Sequence, residues 1–151
     1  MVGLPGAGKT TRARALAAAT GALRLTPDDW QARLFGGEAG VVDGPGHPDH
    51  DRRHAAVEAL MREVADHVLR LGGDVILDFG FWSRAERDEL RAWAAGIGAT
   101  VRLHYEEALP DELLRRIAGR SAGRPDILAV FEASLPRWAA AFEPPDPDEL
   151  T

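Results

Sequence analysis

The first twelve residues of the chain, MVGLPGAGKTTR, contain the pattern G-x-x-x-x-G-K-[ST] at Gly3, Gly8, Lys9 and Thr10. This pattern is typical of a loop between a strand and a helix, where backbone N–H groups and the helix N-terminus bind the phosphates of a nucleotide. In such a loop the lysine reaches the β- and γ-phosphates, and the threonine hydroxyl ligates Mg²⁺. The motif therefore predicts binding of a nucleoside triphosphate with Mg²⁺. We expect ATP, because the sequence contains no motif that reads guanine.

Lys9 is the only lysine among the 18 basic residues, and the other 17 are arginines. The sequence is also rich in alanine, glycine and proline, so the excess of arginine is consistent with a bias in codon usage. A lysine that persists under such a bias marks a position where a compact ammonium fits and a planar guanidinium does not. Lys9 thus favours a phosphate-binding loop over a chance glycine turn.

The composition indicates an ordinary globular protein, and we predict a single domain over residues 1–151. The sequence has no cysteine, no secretory signal and no apolar run of the roughly 18 residues that span a bilayer. These features favour a cytoplasmic location without membrane contact. The net charge is −6, whereas a dedicated binder of duplex nucleic acid is usually basic. We therefore expect a small-molecule partner, nucleic acid being disfavoured, and the sequence is silent on the oligomeric state.

The hydrophobic pattern alternates between strands and helices, which predicts an α/β fold: a three-layer P-loop NTPase arrangement with a central parallel sheet flanked by helices. The predicted strands are residues 1–2, 22–26, 74–79 and 100–105. The predicted helices are residues 10–20, 26–35, 51–71, 83–95, 110–118 and 126–142, with loops at 36–49 and 119–125 and a Pro- and Asp-rich tail at 143–151. A P-loop normally follows a full central strand, so either the native start lies upstream of Met1, which we expect, or the chain lacks most of that strand.

Three carboxylates follow predicted strands, whose carboxyl ends share one rim of a parallel sheet. Asp28 and Asp29 come after the second predicted strand, and Asp78 ends the third. Phosphoryl transfer needs a carboxylate that orients or deprotonates the acceptor, together with oxygen ligands for Mg²⁺. Asp28 or Asp29 is the predicted acceptor carboxylate, and Asp78 is predicted either as a ligand of Mg²⁺-bound water beside Thr10 or as a second contact to the substrate. The choice of base among the three stays open, because such residues also cap helices and turns.

Arg115, Arg116, Arg120 and Arg124 form a basic cluster at the end of a predicted helix and in the Gly-, Ser- and Pro-containing segment after it. One interpretation is a solvated helix face that carries the arginine bias of the chain. The other is a lid that closes on ATP and supplies an arginine to the transition state, which can raise a rate roughly 10³–10⁵-fold. We predict the lid.

His47, His50 and His54 lie in the segment GHPDHDRRH, whose spacing matches no metal motif. We interpret the segment as a mobile loop on the acceptor side rather than as a metal site. Large side chains that follow the strand ends are candidates to line the acceptor pocket, although such residues more often belong to a core. The predicted acceptor-site residues are Asp29, Trp30, Phe81, Trp82 and Arg87.

The chain resembles the small P-loop kinases that include the kinase half of bacteriophage polynucleotide kinase, the zeta toxins and chloramphenicol phosphotransferase. It is most similar to bacterial sequences of that kind described as AAA family ATPases or ATP-binding proteins. The resemblance covers nearly the whole chain through four segments in order: GLPGAGKTT, TPDDWQARLF, VILDFGFWSRAERDELR and ELLRRIAGR. It implies that Asp28 is the general base and that Asp78 closes the next strand. It also implies that Arg116 and Arg120 precede the lid loop and that Arg120 acts on the phosphates.

Phe81 and Trp82 stand where polynucleotide kinase has small polar residues, which suggests a different acceptor. The predicted activity is transfer of the γ-phosphate of ATP to a hydroxyl of a small molecule. The alternatives are a polynucleotide 5′-kinase, a zeta-toxin-like kinase of a nucleotide-sugar, and an ATP-binding or ATP-hydrolysing switch without an acceptor. The predicted catalytic residues are Lys9, Asp28, Arg116 and Arg120, the predicted metal ligands are Thr10 and Asp78, and the predicted nucleotide-binding residues are Gly3, Gly6, Ala7, Gly8, Lys9, Thr10, Thr11 and Arg120.

Overall fold

The computed structural model of the chain describes residues 1–42, 48–120 and 125–150. These residues form α-helices and short parallel strands, which places the chain in the predicted α/β class. The helices are α1 (Lys9–Thr20), α2 (Pro27–Val42), α3 (Pro48–Arg70), α4 (Arg84–Gly96), α5 (Pro110–Arg120) and α6 (Pro125–Ala141). The strands are β1 (Leu23–Leu25) and β2 (Val75–Leu77), and a 3₁₀ helix at Pro147–Glu149 follows α6.

The two strands pair in parallel, with Leu23 opposite Val75 and Leu25 opposite Leu77. Parallel neighbours require a crossover connection, which α2 and α3 supply. Both strands therefore end at the same edge, and the residues that follow them are brought together there, as the sequence predicts.

The first and fourth predicted strands are reduced to single bridges. Val2 forms parallel bridges with Gly80 and with Tyr105, and its backbone is hydrogen bonded to His104 (2.8 Å) and Glu106 (2.9 Å). A β-ladder needs several consecutive paired residues in each strand. Val2 is a single paired residue, because the chain turns into the glycine-rich loop directly after it. The prediction of a full strand at residues 100–105 is therefore wrong, and the three-layer arrangement with a central sheet stays a prediction.

The contacts within the chain define two compact units, of which the first comprises Met1–Arg12 and Gly80–Thr151. In this unit α5 packs against α6. Its apolar core forms where Ala7 of the glycine-rich loop meets Leu113 of α5 and Leu135 of α6. The core thus fixes the loop to α5, the helix that carries the candidate arginines.

The second unit comprises Ala13–Phe79. Here α2 packs against α3, and α3 packs against β2. The buried apolar residues of this unit include Leu25 of β1, Leu77 of β2 and Met61 of α3. The short parallel pair is therefore supported by the long helix α3.

The prediction of a loop at residues 36–49 is wrong at both ends. The helix α2 runs on through Gly36 and Gly37 to Val42, and α3 already begins at Pro48. Glycine costs roughly 1 kcal/mol relative to alanine inside a helix, and the packing of a long helix can outweigh that cost. Residues 43–47, which include His47, lie outside the described residues. In residues 1–42, 48–120 and 125–150, no helix has the length and apolar character needed to cross a membrane.

The predicted tail at residues 143–151 is docked within the first unit as far as residue 150. Glu149 is 5% exposed and forms an ion pair with Arg87 of α4, with 2.8 Å between Oε1 and Nε. The hydrogen bond from Arg87 lowers the pKa of Glu149 to about 2. Arg84 of the same helix binds Asp148 at 2.8 Å. The composition of the tail is typical of a loop, but its carboxylates pair with arginines of α4.

Candidate functional site

Three glycines determine the shape of the loop at residues 3–8. Gly3, Gly6 and Gly8 have φ angles of +139°, +88° and +113°. Residues other than glycine rarely adopt this backbone conformation. A Cβ on Gly3 would collide with the carbonyl oxygen of Glu106, and a Cβ on Gly6 would lie 3.1 Å from the side chain of Ile117. The backbone therefore requires glycine here. Such a loop meets the condition for a phosphate cradle, in which the main chain itself contacts the ligand.

Lys9 begins α1 and lies over this loop. Its Nζ donates hydrogen bonds to the carbonyl oxygens of Gly3 (2.8 Å) and Leu4 (3.0 Å). Thr10 and Thr11 follow in the first turn of α1, where N–H groups lack intrahelical partners and the helix dipole is positive. The structure thus places an ammonium, a hydroxyl and a helix N-terminus at one loop, which is the arrangement that binds phosphates.

Arg116 of α5 is fixed against the same loop. Its Nη1 donates a hydrogen bond to the carbonyl oxygen of Ala7 at 2.6 Å, and its Nη2 donates to the carboxylate of Glu112. Nη1 also lies 3.5 Å from the point that a Cβ on Gly8 would occupy. The neighbouring Arg115 is 78% exposed and lies 3.8 Å from Glu112. Of these two arginines, the structure therefore brings Arg116 to the loop.

The predicted lid falls largely outside the described residues. The helix α5 extends to Arg120, beyond its predicted end at residue 118. The structure does not describe the side chain of Arg120 or any part of residues 121–124, which include Arg124. The participation of Arg120 in phosphate binding stays a prediction.

Asp78 follows β2 and is deeply buried, with 1% of its side chain exposed. Its Oδ2 lies 3.5 Å from the Thr26 hydroxyl and 3.7 Å from Nη1 of Arg24. Its Oδ1 is without a hydrogen-bond partner among the described residues. Burying a polar atom without a hydrogen bond destabilises the fold. A carboxylate oxygen is a suitable ligand for Mg²⁺ or for a water molecule bound to Mg²⁺. The Asp78 carboxylate and, separately, the Thr10 hydroxyl are each of the oxygen-ligand type that Mg²⁺ prefers.

Asp29 is held by the arginine that also approaches Asp78. Nη2 of Arg24 lies 2.5 Å from Oδ2 of Asp29, and Nη1 donates to the Thr26 hydroxyl. Arg24 therefore orders the residues that follow both strands. A cavity of about 470 Å³ opens beside this network. It is lined by Arg24, Thr26, Asp29, Trp30, Ala32 and Arg33.

Asp28 differs from the other two carboxylates, because its side chain is 91% exposed. Its Oδ1 lies 3.9 Å from Nε2 of His54 on α3. The opposite ring nitrogen of His54, Nδ1, lies 3.5 Å from Oε1 of Glu58. The sequence interpretation missed this relationship. Its only signal was the i, i+4 spacing of His54 and Glu58 within a predicted helix.

The interpretation of the histidine segment as a mobile loop is wrong for His50, which lies on α3; His54 also lies on α3, within the helix predicted at residues 51–71. A proline at the start of the helix and the acidic Asp49 and Asp51 in its first turn favour helix formation there. The rings of His50 and His54 stack with centroids 5.9 Å apart. Within the described part of the chain, no group of three or more His, Cys, Asp or Glu residues could hold a metal ion.

Two predicted acceptor-site residues belong to the interior of the first unit instead. Phe81 is 7% exposed and has a φ of +46°, and Arg87 is 2% exposed with its guanidinium bound to Glu149. Because neither side chain is open to a ligand, the prediction that they contact the acceptor is corrected. Trp82 is partly buried and packs edge-on against Trp138, with ring centroids 6.3 Å apart. Its contact with an acceptor stays a prediction.

The sequence of this chain is similar to a known family and to known proteins. A family model described as an AAA domain, AAA_33, matches residues 1–145. The chain is 34% identical over 142 residues to the uncharacterized protein Mb2027c of Mycobacterium bovis and to the uncharacterized protein Rv2004c of Mycobacterium tuberculosis. Each alignment covers 88% of this chain and 27% of the relative, so the chain spans about a quarter of the length of these proteins. The predicted resemblance to small P-loop kinases is confirmed, and the chain belongs to the AAA domain family AAA_33.

Proposed function

We propose that this chain is an ATP-dependent phosphotransferase that moves the γ-phosphate of ATP to a hydroxyl of a small molecule. The observation that carries the proposal is the hydrogen bond from Arg116 to the carbonyl oxygen of Ala7, at 2.6 Å. The loop and Lys9 account for nucleotide binding alone. A second cation held at the same loop supplies what phosphoryl transfer also needs, because negative charge spreads over the oxygens of the moving group.

The surroundings of the three candidate carboxylates favour Asp28 as the general base. Asp29 is bound to Arg24 at 2.5 Å, and Asp78 is buried beside the same arginine. Asp28 is 91% exposed. A general base must come within hydrogen-bonding reach of the proton that it abstracts, so the exposed carboxylate is the best placed of the three. The family resemblance supports the same choice.

The proposed roles follow from the chemistry of each side chain. Lys9 binds the β- and γ-phosphates, and Arg116 and Arg120 stabilise the charge on the transferred group. Asp28 removes the proton of the acceptor hydroxyl while that oxygen bonds to the γ-phosphorus and the bond to ADP breaks. Thr10 and Asp78 would hold Mg²⁺, directly and through water. When bound, this ion neutralises charge on the β- and γ-phosphate oxygens.

We propose that the acceptor is a small molecule and that the cavity at Asp29 and Trp30 receives it. The cavity volume of about 470 Å³ lies within the range of sites for small ligands. The net charge of −6 supports this choice over a polynucleotide. A cytoplasmic location and a three-layer sheet arrangement are part of the same proposal.

A transfer screen with γ-radiolabelled ATP and Mg²⁺ over sugars, nucleosides, nucleotide-sugars, antibiotics and oligonucleotides tests this function. We expect label on one class of small hydroxyl compound with the native chain and none with Lys9→Ala. Label on an oligonucleotide, with activity that falls steeply as salt rises, would show a polynucleotide kinase instead. ATP binding without labelling or stimulated ADP release across the panel would favour a switch and contradict the proposal.

A further inference from the structure

A histidine lies beside the proposed base. His54 of α3 presents Nε2 to Oδ1 of Asp28 at 3.9 Å and Nδ1 to Oε1 of Glu58 at 3.5 Å. A carboxylate that receives the N–H of one ring nitrogen leaves the other nitrogen as a proton acceptor. Nδ1 is the ring nitrogen that lies nearest Glu58, and Nε2 is the ring nitrogen that faces Asp28.

The surroundings of His54 hold the ring in this orientation. Glu58 lies one turn further along α3, so the same helix carries both groups at a fixed spacing. The side chains of His54 and Glu58 are only 29% and 27% exposed, and the ring of His50 stacks on that of His54. Asp28, in contrast, projects into solvent from the first turn of α2. The imidazole is thus the constrained partner and the carboxylate the accessible one.

We propose that His54 is a positioning residue that acts through Asp28 and accepts the proton that Asp28 removes. The inference rests on the proposed function, in which Asp28 is the base. The acceptor O–H bond breaks as its oxygen bonds to the γ-phosphorus and ADP leaves, and the proton goes to Oδ1 of Asp28. It then passes to Nε2 of His54, and the imidazolium is stabilised by Glu58. Release of that proton to water restores the neutral ring and the ionised Asp28.

The inference gives the reaction a dependence on pH, because an imidazole accepts a proton only in its neutral form. Among the described residues, the charged or titratable groups that face His54 are Asp28 from α2, and Glu58 and His50 from α3. A protonated His54 cannot accept a second proton. Turnover is therefore expected to rise as the pH increases through the range in which the His54 ring loses its proton.

A first experiment needs no turnover. The protonation of the histidine rings is followed by NMR across pH in the full chain, in the native form and in Asp28→Asn. Removing the negative charge next to His54 should shift its protonation to lower pH, because the imidazolium loses a favourable neighbour. His67, exposed on the same helix, should titrate unchanged. A His54 curve that is identical in both proteins would overturn the inference.

The second experiment measures ADP release from MgATP across pH, with water as the acceptor or with any acceptor that the screen finds. His54→Gln should lower kcat about 10-fold, less than the 10²–10⁴-fold typical of a general base, and should remove the rise of turnover with pH. Glu58→Gln should lower kcat by a smaller factor and keep that rise, and the control His67→Gln should match the native chain. If Asp28→Asn abolishes turnover while His54→Gln leaves the pH profile unchanged, the inference fails and the proposed function stands. If Asp28→Asn leaves turnover unchanged, the proposed base fails.

Discussion

Arg116 and Ala7 are 109 positions apart in the chain, and a hydrogen bond of 2.6 Å joins the Arg116 guanidinium to the Ala7 carbonyl oxygen. The contact lies within one compact unit, whose core also joins Ala7 to Leu113 of the helix that carries Arg116. A cation is therefore held at the glycine-rich loop by packing rather than by sequence proximity. This relationship distinguishes Arg116 from the adjacent Arg115, which is 78% exposed and lies 3.8 Å from Glu112.

Replacing Arg116 and Arg115 in turn tests whether Arg116 acts in catalysis while Arg115 is only a surface residue. Arg116→Ala should lower kcat about 10³-fold, because a guanidinium that stabilises the transferred phosphoryl group contributes roughly 10³–10⁵ in rate. Arg115→Ala, its exposed neighbour, should stay within about twofold of the native value, because solvated ion pairs contribute little. Steady-state ADP release and nucleotide affinity are measured for both. Equal losses in the two variants would remove Arg116 from the proposed mechanism.

The only lysine of the chain should resist replacement by arginine. Lys9→Arg keeps the charge, but a planar guanidinium does not fit where Nζ lies 2.8 Å from the Gly3 carbonyl oxygen. We expect ATP affinity, measured by calorimetry with Mg²⁺, to fall at least about 10-fold, or about 1.4 kcal/mol. The matched exchange Arg14→Lys, exposed on the same helix, should leave affinity unchanged. Native affinity in Lys9→Arg would contradict the proposed role of Lys9.

The paired aspartates at the start of α2 should respond differently to amidation. Asp28→Asn should reduce kcat about 10²–10⁴-fold with little change in ATP affinity, as expected for loss of a general base. Asp29→Asn removes one of the partners of Arg24 and should act mainly on the KM of the acceptor, because Asp29 and Arg24 both line the cavity. Initial rates over a range of ATP and acceptor concentrations distinguish the two effects. A larger fall in kcat for Asp29→Asn would exchange their roles.

Acid should weaken the docking of the C-terminal segment. Arg87 lowers the pKa of Glu149 from its ordinary value of 4.5 to about 2, so this carboxylate stabilises the fold at neutral pH. That contribution, about 3 kcal/mol, is complete above pH 4.5 and is lost as the pH falls towards 2. Glu149→Gln should be destabilised by about 3–5 kcal/mol at pH 7, because Arg87 keeps a buried charge without a counterion.

Urea unfolding at several pH values tests this prediction. The variant should show a flatter dependence on pH between 4.5 and 2 than the native chain. Asp148→Asn, which removes a more exposed partner of Arg84, should cost only about 0–1 kcal/mol. A Glu149→Gln variant as stable as the native chain would show that the ion pair is not what holds the segment.

Local features of the fold were predictable from the sequence because neighbouring residues determine them. The helices predicted at residues 10–20 and 83–95 form as α1 and α4: Gly21 follows α1 with a φ of +76°, and a capping box of Ser83 and Glu86 begins α4. The strand predicted at residues 74–79 forms at Val75–Leu77, and Leu77 is its buried residue. Where packing decided, prediction failed. The helix α2 passes through Gly36 and Gly37, and the tail docks through Glu149.

The sequence by itself determined the phosphate-binding loop, because glycines at positive φ followed by a lysine and a helix start are a local requirement of that structure. It also determined which residue types were available for phosphoryl transfer. Only the tertiary structure decided which of them are accessible. It left Asp28 exposed beside His54, bound Asp29 to Arg24, and buried Asp78. It also engaged Arg87 with Glu149, 62 positions away. Exposure and ion pairing depend on residues that are distant in the chain, and local sequence patterns do not encode them.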